Sequence, residues 1–161
     1  MTTPTFKQLL ANPNHLFAFG FGSGLASRAP GTFGTLAAIP FFLLLQELSW
    51  PLYLSWLSVT FALGVLWCDR SSRALGVHDH GGIVWDEFVG FWITMFMAPA
   101  GWLWILLGFF LFRFFDILKP WPISWLDKKV HGGFGIMIDD ALAGIYALVV
   151  LQLIAFSVRF L

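Results

Sequence analysis

The sequence predicts an all-α membrane protein, a polytopic bundle of about five transmembrane helices in one integral-membrane domain over residues 1–161. Of the 161 residues, 58% are hydrophobic and only 11% are charged, whereas roughly 25% of residues are charged in soluble domains. Four mainly apolar stretches contain no Asp, Glu, Lys or Arg; they cover 29–46, 48–68, 88–112 and 141–158. Because a spanning helix needs about 20 mainly apolar residues, each stretch is long enough to cross a bilayer.

The first elements follow in order along the chain. Residues 1–28 mix apolar and polar side chains, which is typical of a short interfacial helix lying at the membrane surface. The first span is predicted over 33–48, interrupted by Pro40, and the second over 52–68. A hairpin at 49–51, Ser-Trp-Pro, joins the two spans, and a polar loop over 69–82 follows them.

The apolar run over 83–115 admits two interpretations. A single tilted helix over 88–112 would give four spans in total, but the whole run has 33 residues, which is too many for one span. Pro99-Ala100-Gly101 lies near its middle, and Pro with Gly favours a turn. We therefore predict spans at 83–98 and 102–118, a loop at 119–138 and a fifth span at 139–158.

The basic residues favour the five-span interpretation, because Lys and Arg concentrate in short cytoplasmic loops. Five spans place eight of the nine basic residues on one side and only Arg159 on the other. Four spans would divide them almost evenly. The eight residues on the predicted cytoplasmic side are Lys7, Arg28, Arg70, Arg73, Arg113, Lys119, Lys128 and Lys129.

Composition excludes several classes of function. The formal net charge is zero, so the overall charge indicates no nucleic-acid partner. Cys68 is the only cysteine, so neither an internal disulfide nor a multi-cysteine zinc site can form. Function must instead be sought in the charged residues that interrupt the apolar helices.

Three clusters of ionisable residues lie at predicted helix ends, where charged side chains are costly and mark candidate functional positions. They occur in the segments GGIVWDEFVG, RFFDILKPWP and GIMIDDALAG. The charged residues of these segments are Asp86 and Glu87, then Arg113, Asp116 and Lys119 at a spacing of three, then Asp139 and Asp140. The spacing of three places the second group along one side of a helix.

Five carboxylates converging from three helix ends are typical of a site for a hard divalent cation. Mg²⁺ prefers oxygen ligands and is commonly held by a few carboxylates together with substrate phosphate. Arg113 and Lys119 beside them could hold phosphate oxygens. A structural interpretation remains open, in which the acids complement helix dipoles and Arg113 forms a local ion pair with Asp116.

Two further segments carry weaker signals. The Gly-rich segment 20–36, GFGSGLASRAPGTFGTL, contains Arg28 and Thr32 and leads into the first span. Such a segment either binds an anion through its backbone amides or simply turns the chain. The segment HDHGG contains His78 and His80, which could act as acid, base or ligand or could form an ordinary hydrogen-bonded loop.

Read in order, the segments GFGSGLASRAPGTFGTLAAIP, VHDHGGIVWDEFVG and FRFFDILKPWPISWLDKKVHGGFGIMIDDALAG resemble bacterial phosphatidylglycerophosphatase A over about residues 15–145. The resemblance implies a Mg²⁺-dependent lipid phosphatase of the bacterial inner membrane, with its active site facing the cytoplasm. Its implied substrate is phosphatidylglycerophosphate in the membrane, which it would convert to phosphatidylglycerol. Composition and spacing alone predict only an acidic, phosphate-compatible site at one membrane face.

Roles for the acidic residues follow from what hydrolysis of a phosphate monoester requires. We assign Glu87, Asp139 and Asp140 as the principal Mg²⁺ ligands. Asp86 is either a further ligand or the base that orients the attacking water, and Asp116 is the second candidate base. Because no nucleophile motif is recognisable, we favour attack by water at the metal over a covalent aspartyl-phosphate.

The remaining candidates would act on the substrate. The residues expected to hold its phosphate are Arg28, Thr32, Arg113 and Lys119, with His78 and His80 as auxiliary candidates. The alternative function is a small membrane ion or lipid transporter or binding protein that uses the same acids; a third interpretation is a structural subunit. Transport is disfavoured because the acids gather at one face and no inverted halves are visible. Oligomeric state stays open.

Overall fold

The computed structural model describes residues 3–77 and 80–159, and within these ranges helices are the only regular secondary structure, without a strand. The all-α prediction is therefore confirmed for them. The helices are α1 (Phe6–Ala11), α2 (Pro13–Ala18), α3 (Pro30–Leu45), α4 (Trp50–Leu75), α5 (Trp85–Thr94), α6 (Trp102–Leu118), α7 (Ile123–Lys129) and α8 (Gly132–Val158), with a 3₁₀ segment at Gly20–Leu25.

The centre of the bundle is α5, which packs against α3, α4, α6 and α8. Its residues are buried apart from Asp86, Glu87 and Ile93, which are partly buried. Glycines bring α5 and α8 into backbone contact, because a Cβ at Gly144 would overlap the carbonyl oxygen of Gly90. The Thr94 hydroxyl donates to both of these carbonyls, at 3.0 Å to Gly90 and 3.3 Å to Gly144.

This central helix is shorter than the third predicted span, 83–98. With 10 residues it is about 15 Å long, half of the roughly 30 Å hydrocarbon core of a bilayer. The helix ends at Thr94 because the chain then turns through Met97, with a φ of 55°, and Gly101, with a φ of 123°. The apolar run is thus largely a buried core segment.

Neighbouring elements satisfy the backbone at both ends of α5. The Val84 amide donates to the Ala18 carbonyl at 2.8 Å. At the other end, the Tyr53 hydroxyl donates to the Trp92 carbonyl at 2.7 Å, and the Gln152 amide donates to Phe96 O at 2.9 Å. Irregular backbone at membrane depth is tolerated where protein buries it in this way.

Two predicted loops are partly helical. Helix α4 continues to Leu75, through the first half of the predicted loop 69–82, and α7 lies inside the predicted loop 119–138. Helix α8 begins at Gly132 rather than at residue 139, because its glycines allow close packing on α4. The Gly133 amide donates to Asp69 Oδ1 at 3.3 Å, and a Cβ at Gly133 would overlap the Val65 carbonyl oxygen. Tertiary packing here overrides the low helix propensity of glycine.

The N-terminal segment is more than a single surface helix. It forms α1, α2 and the 3₁₀ segment, and Leu9 and Phe19 are fully buried. The His15 ring and the Ser71 hydroxyl of α4 lie 2.6 Å apart, and Phe17 stacks on Trp67 with ring centroids 4.2 Å apart. The segment therefore covers the C-terminal half of α4.

Within the part of the chain that the structure describes, two helices, α4 and α8, are long and apolar enough to cross a membrane, with 26 and 27 residues. The outer surface of the bundle is also apolar, which is unusual for a soluble monomer. Large apolar side chains exposed on four different helices include Leu44, Leu63, Leu103, Phe110, Leu153 and Phe156.

The bundle has two chemically different ends. At one end, which we call the charged end, α3, α5 and α8 begin and α4 and α6 end. It is marked by Asp69, Glu87, Arg113 and Lys119. The opposite, distal end contains the turn with Gln46 and Glu47 between α3 and α4, and the turn after α5. Charged side chains from three helices thus share one end.

Candidate active site

Three carboxylates from two helices meet at the charged end. Asp86 and Glu87 lie in the first turn of α5, and Asp140 lies in the third turn of α8. One oxygen from each lies within 4.8 Å of the other two, a spacing that could hold a metal ion. We call these three residues the carboxylate cluster.

The cluster is buried and contains acceptor atoms without a donor. Asp140 is 4% exposed, and the Glu87 side chain is 12% exposed. Glu87 Oε2 and Asp140 Oδ2 are both buried, and neither accepts a hydrogen bond from any described residue. Burying such oxygens without a partner is costly, so the chemistry of the donor set fits a bound cation.

Position along α8 decides against the helix-dipole interpretation for Asp140. The dipole stabilises acids only within about the first turn of a helix. Asp86 and Glu87 meet that condition in α5, but Asp140 is the ninth residue of the helix that begins at Gly132. Its burial must therefore be compensated by something other than the end of its own helix.

Arg113 of α6 lies beside the carboxylate cluster. Its Nη1 atom is 2.5 Å from Asp116 Oδ2 and 3.7 Å from Glu87 Oε1. The side chains of Arg113 and Asp116 are 15% and 13% exposed, and Asp116 lies close enough to Asp140 for their negative charges to interact. The spacing of three thus does form an ion pair, and that pair lies inside the acidic site.

The start of α3 packs directly on the Glu87–Arg113 pair. A Cβ at Gly31 would overlap Glu87 Oε1 and would lie 2.9 Å from Arg113 Nη1. Gly31 and the half-buried Thr32 belong to the first turn of α3. Pro30 has no N–H and the Thr32 amide donates to the Ala29 carbonyl at 2.9 Å, so the Gly31 amide is the first-turn donor available to an anion. Arg113 and this helix start therefore place positive groups beside the carboxylate cluster.

Lys119 and Asp139 pair with each other outside the cluster. Lys119 Nζ lies 2.7 Å from Asp139 Oδ2 and 2.6 Å from Asp127 Oδ1. Burial of the ammonium disfavours its charged form, but its hydrogen bonds to the two carboxylates outweigh this and raise the pKa of Lys119. The residue therefore stays charged and ties the end of α6 to α7 and α8.

The other predicted residues lie farther from the cluster. Arg28 is exposed, three residues before Gly31, so its backbone lies within about 11 Å of that glycine. His80 Nδ1 accepts a hydrogen bond from the Gly82 amide at 3.0 Å, and its ring packs 5.4 Å from that of Phe19. His78 lies outside the described residues.

Sequence reasoning missed two contributors to this site. Gly31 is one of several glycines in the segment 20–36, and only its contact with Glu87 distinguishes it from the others. The sequence assigns no role to Asp127, although its partner Lys119 lies eight residues before it. No pattern within a single helix could have identified either contact.

Comparison with known proteins gives consistent matches. The phosphatidylglycerophosphatase A family matches residues 16–155. Phosphatidylglycerophosphatase A of Escherichia coli is 51% identical over 146 residues, which cover 90% of this chain and 85% of the relative. Phosphatidylglycerophosphatase A of Haemophilus influenzae is 53% identical over 149 residues, 91% of each chain.

A third relative carries a different substrate in its name. It is a Bacteroides thetaiotaomicron protein named as a candidate phosphatidylinositol-3-phosphatase, 36% identical over 143 residues, which cover 84% of this chain and 89% of the relative. No solved structure matches the chain.

Proposed function

The chain belongs to the phosphatidylglycerophosphatase A family, and we propose that it hydrolyses phosphatidylglycerophosphate to phosphatidylglycerol and phosphate at the carboxylate cluster. The observation that carries this proposal is identity above 50% to two proteins of that name over at least 90% of the chain. The third relative shares less identity and is named for another lipid phosphate monoester. The chemistry would be the same for both substrates.

Mg²⁺ is the proposed cofactor, held by Asp86, Glu87 and Asp140. The donorless oxygens of Glu87 and Asp140 support this set. We propose Asp86 as the third ligand in place of Asp139, because Asp139 Oδ2 pairs with Lys119 at 2.7 Å. When bound, Mg²⁺ supplies positive charge that offsets negative charge on the phosphoryl oxygens.

Arg113 and the start of α3 are the proposed phosphate-binding groups. The guanidinium lies next to Glu87 and can donate to phosphoryl oxygens while Asp116 fixes its position. The Gly31 amide favours the same anion, and Thr32 follows it in the first turn of α3. Arg28, three residues before Gly31 in the sequence, can add a positive charge from outside the carboxylate cluster. Lys119 is given a positioning role instead, because two carboxylates already engage it.

Asp116 is the proposed base for the attacking water. It lies outside the carboxylate cluster but within reach of Asp140, so it can accept a proton while the three ligands remain deprotonated. The water oxygen then forms a new bond to phosphorus, and the bond from phosphorus to the glycerol oxygen breaks. The departing oxygen takes a proton and becomes the hydroxyl of phosphatidylglycerol.

Transport through the bundle is the less favoured function. Beyond Glu87 toward the distal end, α5 contains only apolar residues, Gly90 and Thr94, and those from Phe88 to Trp92 are all buried. Aromatic rings fill this region; the ring centroids of Phe88 and Trp92 lie 5.8 Å apart. An ion leaving the cluster in this direction would meet no polar side chain of α5 before Thr94.

Phosphate release tests the proposed function directly. Purified full-length protein in detergent with Mg²⁺ is expected to release inorganic phosphate from phosphatidylglycerophosphate. Phosphatidylinositol 3-phosphate in the same micelles is the competing substrate, and we expect at least about tenfold lower kcat/KM for it. Release from the inositol lipid alone, or from neither lipid, would contradict the proposal.

Gly31→Ala tests the packing of α3 on the site. Because the added methyl overlaps Glu87 Oε1, Glu87 or the start of α3 must move, and displacements of about 1 Å can cost about 10²-fold in rate. We therefore expect kcat to fall by about 10²-fold, while the melting temperature stays within a few degrees of that of the parent. Gly81→Ala is the matched control, because nothing lies within 4 Å of its added Cβ; equal activity of both variants would refute the close contact.

We also propose that the single domain over 1–161 crosses the bacterial inner membrane five times, with the charged end in the cytoplasm. Helices α3, α4, α5, α6 and α8 run alternately between the two ends, and α5 is a short crossing enclosed by the others. The excess of basic residues at the charged end supports this orientation.

Cysteine labelling of intact cells checks this orientation. In a Cys68→Ala background, Glu47→Cys probes an exposed position at the distal end, and Gly81→Cys probes open space at the charged end. A membrane-impermeant maleimide is expected to label only Glu47→Cys until the inner membrane is permeabilised. Labelling of Gly81→Cys alone in intact cells would reverse the proposed topology.

A further inference from the structure

An apolar groove runs along the outer side of α6. One part, with a volume of about 630 Å³, is lined by Phe110, Arg113, Phe114, Ile117 and Leu118. A second part, of about 420 Å³, lies between α6 and the end of α8 and is lined by residues that include Leu106, Phe110 and Ile154. Phe110 lines both parts, so they adjoin at this side chain and together follow one side of α6.

A charged side chain lines this groove. Among the described residues that line its two parts, Arg113 is the only ionisable one. The same guanidinium contacts Asp116 and lies 3.7 Å from Glu87 Oε1. Arg113 thus faces the apolar groove on one side and the carboxylate cluster on the other. A ligand that fits both sides carries a negative headgroup and a long apolar chain.

We propose that an acyl chain of the phospholipid substrate lies in this groove, so that the lipid reaches the site sideways from the bilayer, past Arg113. The proposal rests on the proposed function and adds the route and the chain-binding surface. The phosphate headgroup turns inward at Arg113, and the chain continues along Phe110 and Leu106 toward the distal end.

Length and direction agree with a lipid chain. From Arg113 to Leu103, the far limit of the groove on α6, ten residues of helix span about 15 Å. One leaflet occupies half of the roughly 30 Å hydrocarbon core, so the groove offers about one leaflet of length. It extends from the charged end toward the distal end, as the chain of a lipid with a cytoplasmic headgroup must.

Kinetics with two chain lengths test the groove. Phe110→Ala removes the side chain that lines both parts. Leu106→Trp fills the part between α6 and the end of α8. Both side chains are more than half exposed, at 65% for Phe110 and 51% for Leu106. For dipalmitoyl phosphatidylglycerophosphate we expect kcat/KM to fall at least about fivefold in each variant. For the dibutyryl analogue, whose chains are too short to follow the groove, we expect values within twofold of the parent.

The control is Leu44→Trp on α3, a side chain that is 74% exposed and lies outside the groove. It should leave kcat/KM unchanged for both substrates. Equal losses for long and short chains in Phe110→Ala and Leu106→Trp, or the same loss in Leu44→Trp, would overturn the proposal. If the parent hydrolysed neither lipid, the proposed function would fail instead.

Photolabelling tests the groove without relying on turnover. A phosphatidylglycerophosphate with a diazirine at mid-chain, incorporated into phosphatidylethanolamine vesicles with the protein, is expected to label the 103–110 peptide in preference to the 41–48 peptide of α3. A diazirine phosphatidylethanolamine should label both peptides alike. Equal labelling by the two probes would show ordinary contact with the bilayer and would overturn the proposal. Crosslinks between two protein molecules through Leu106→Cys would show that the groove is a contact between copies, which would also overturn it.

Discussion

Asp140→Asn and Glu87→Gln are each expected to lower kcat for phosphatidylglycerophosphate by at least about 10²-fold, the scale of losing one preorganised charged group in an active site. Both substitutions keep the size of the side chain but remove the negative charge that a Mg²⁺ ligand supplies. Steady-state phosphate release by the purified variants measures the effect. Glu47→Gln, at an exposed position of the distal end, is the matched control and should retain parental kcat.

Stability of the same samples separates catalysis from folding. If Asp140 served the fold, Asp140→Asn would lower the melting temperature. In metal-free buffer we expect Asp140→Asn to raise the melting temperature instead, because it removes a buried carboxylate beside two others and so relieves their repulsion. Activity of Asp140→Asn within about tenfold of the parent, a change of about 1.4 kcal/mol in barrier, would show that the catalytic centre lies on other acids.

Chelation with EDTA is expected to reduce phosphate release to background, and excess Mg²⁺ is expected to restore it. Without a cation, the carboxylate cluster holds three acids whose oxygens lie within 4.8 Å and repel one another. Binding to the folded state also stabilises it, by about 2.7 kcal/mol at a hundredfold excess over Kd, so Mg²⁺ should raise the melting temperature. Full turnover in metal-free buffer would exclude a metal-dependent reaction.

The sequence predicts the helical class well and the length of α5 poorly. Charge-free stretches correctly locate the long helices α4 and α8, because few soluble folds tolerate such composition. The run around α5 has the same composition, yet it is a 10-residue core helix. An apolar run with helical periodicity looks the same whether lipid or protein covers it, so only the surrounding helices reveal which applies.

The convergence of acids from α5 and α8 with Arg113 of α6 was predictable, because charged residues in apolar helices must find polar partners. The choice among neighbouring acids was not. Adjacent residues on a helix point about 100° apart, so the sequence alone does not tell which of Asp139 and Asp140 faces the site. Asp140 joins the carboxylate cluster, whereas Asp139 pairs with Lys119. The relative rotation of α6 and α8 decides which of the two acids faces the cluster and which faces Lys119.

Cation binding itself tests the central claim most directly. Mn²⁺, an oxygen-seeking stand-in for Mg²⁺, can be titrated into metal-free protein and followed by electron paramagnetic resonance, with Mg²⁺ as competitor. We predict saturable binding that Mg²⁺ displaces in the parent and in Glu47→Gln, and at least about tenfold weaker binding in Glu87→Gln and Asp140→Asn. Equal Mn²⁺ affinity in all four proteins would contradict a metal site at Asp86, Glu87 and Asp140.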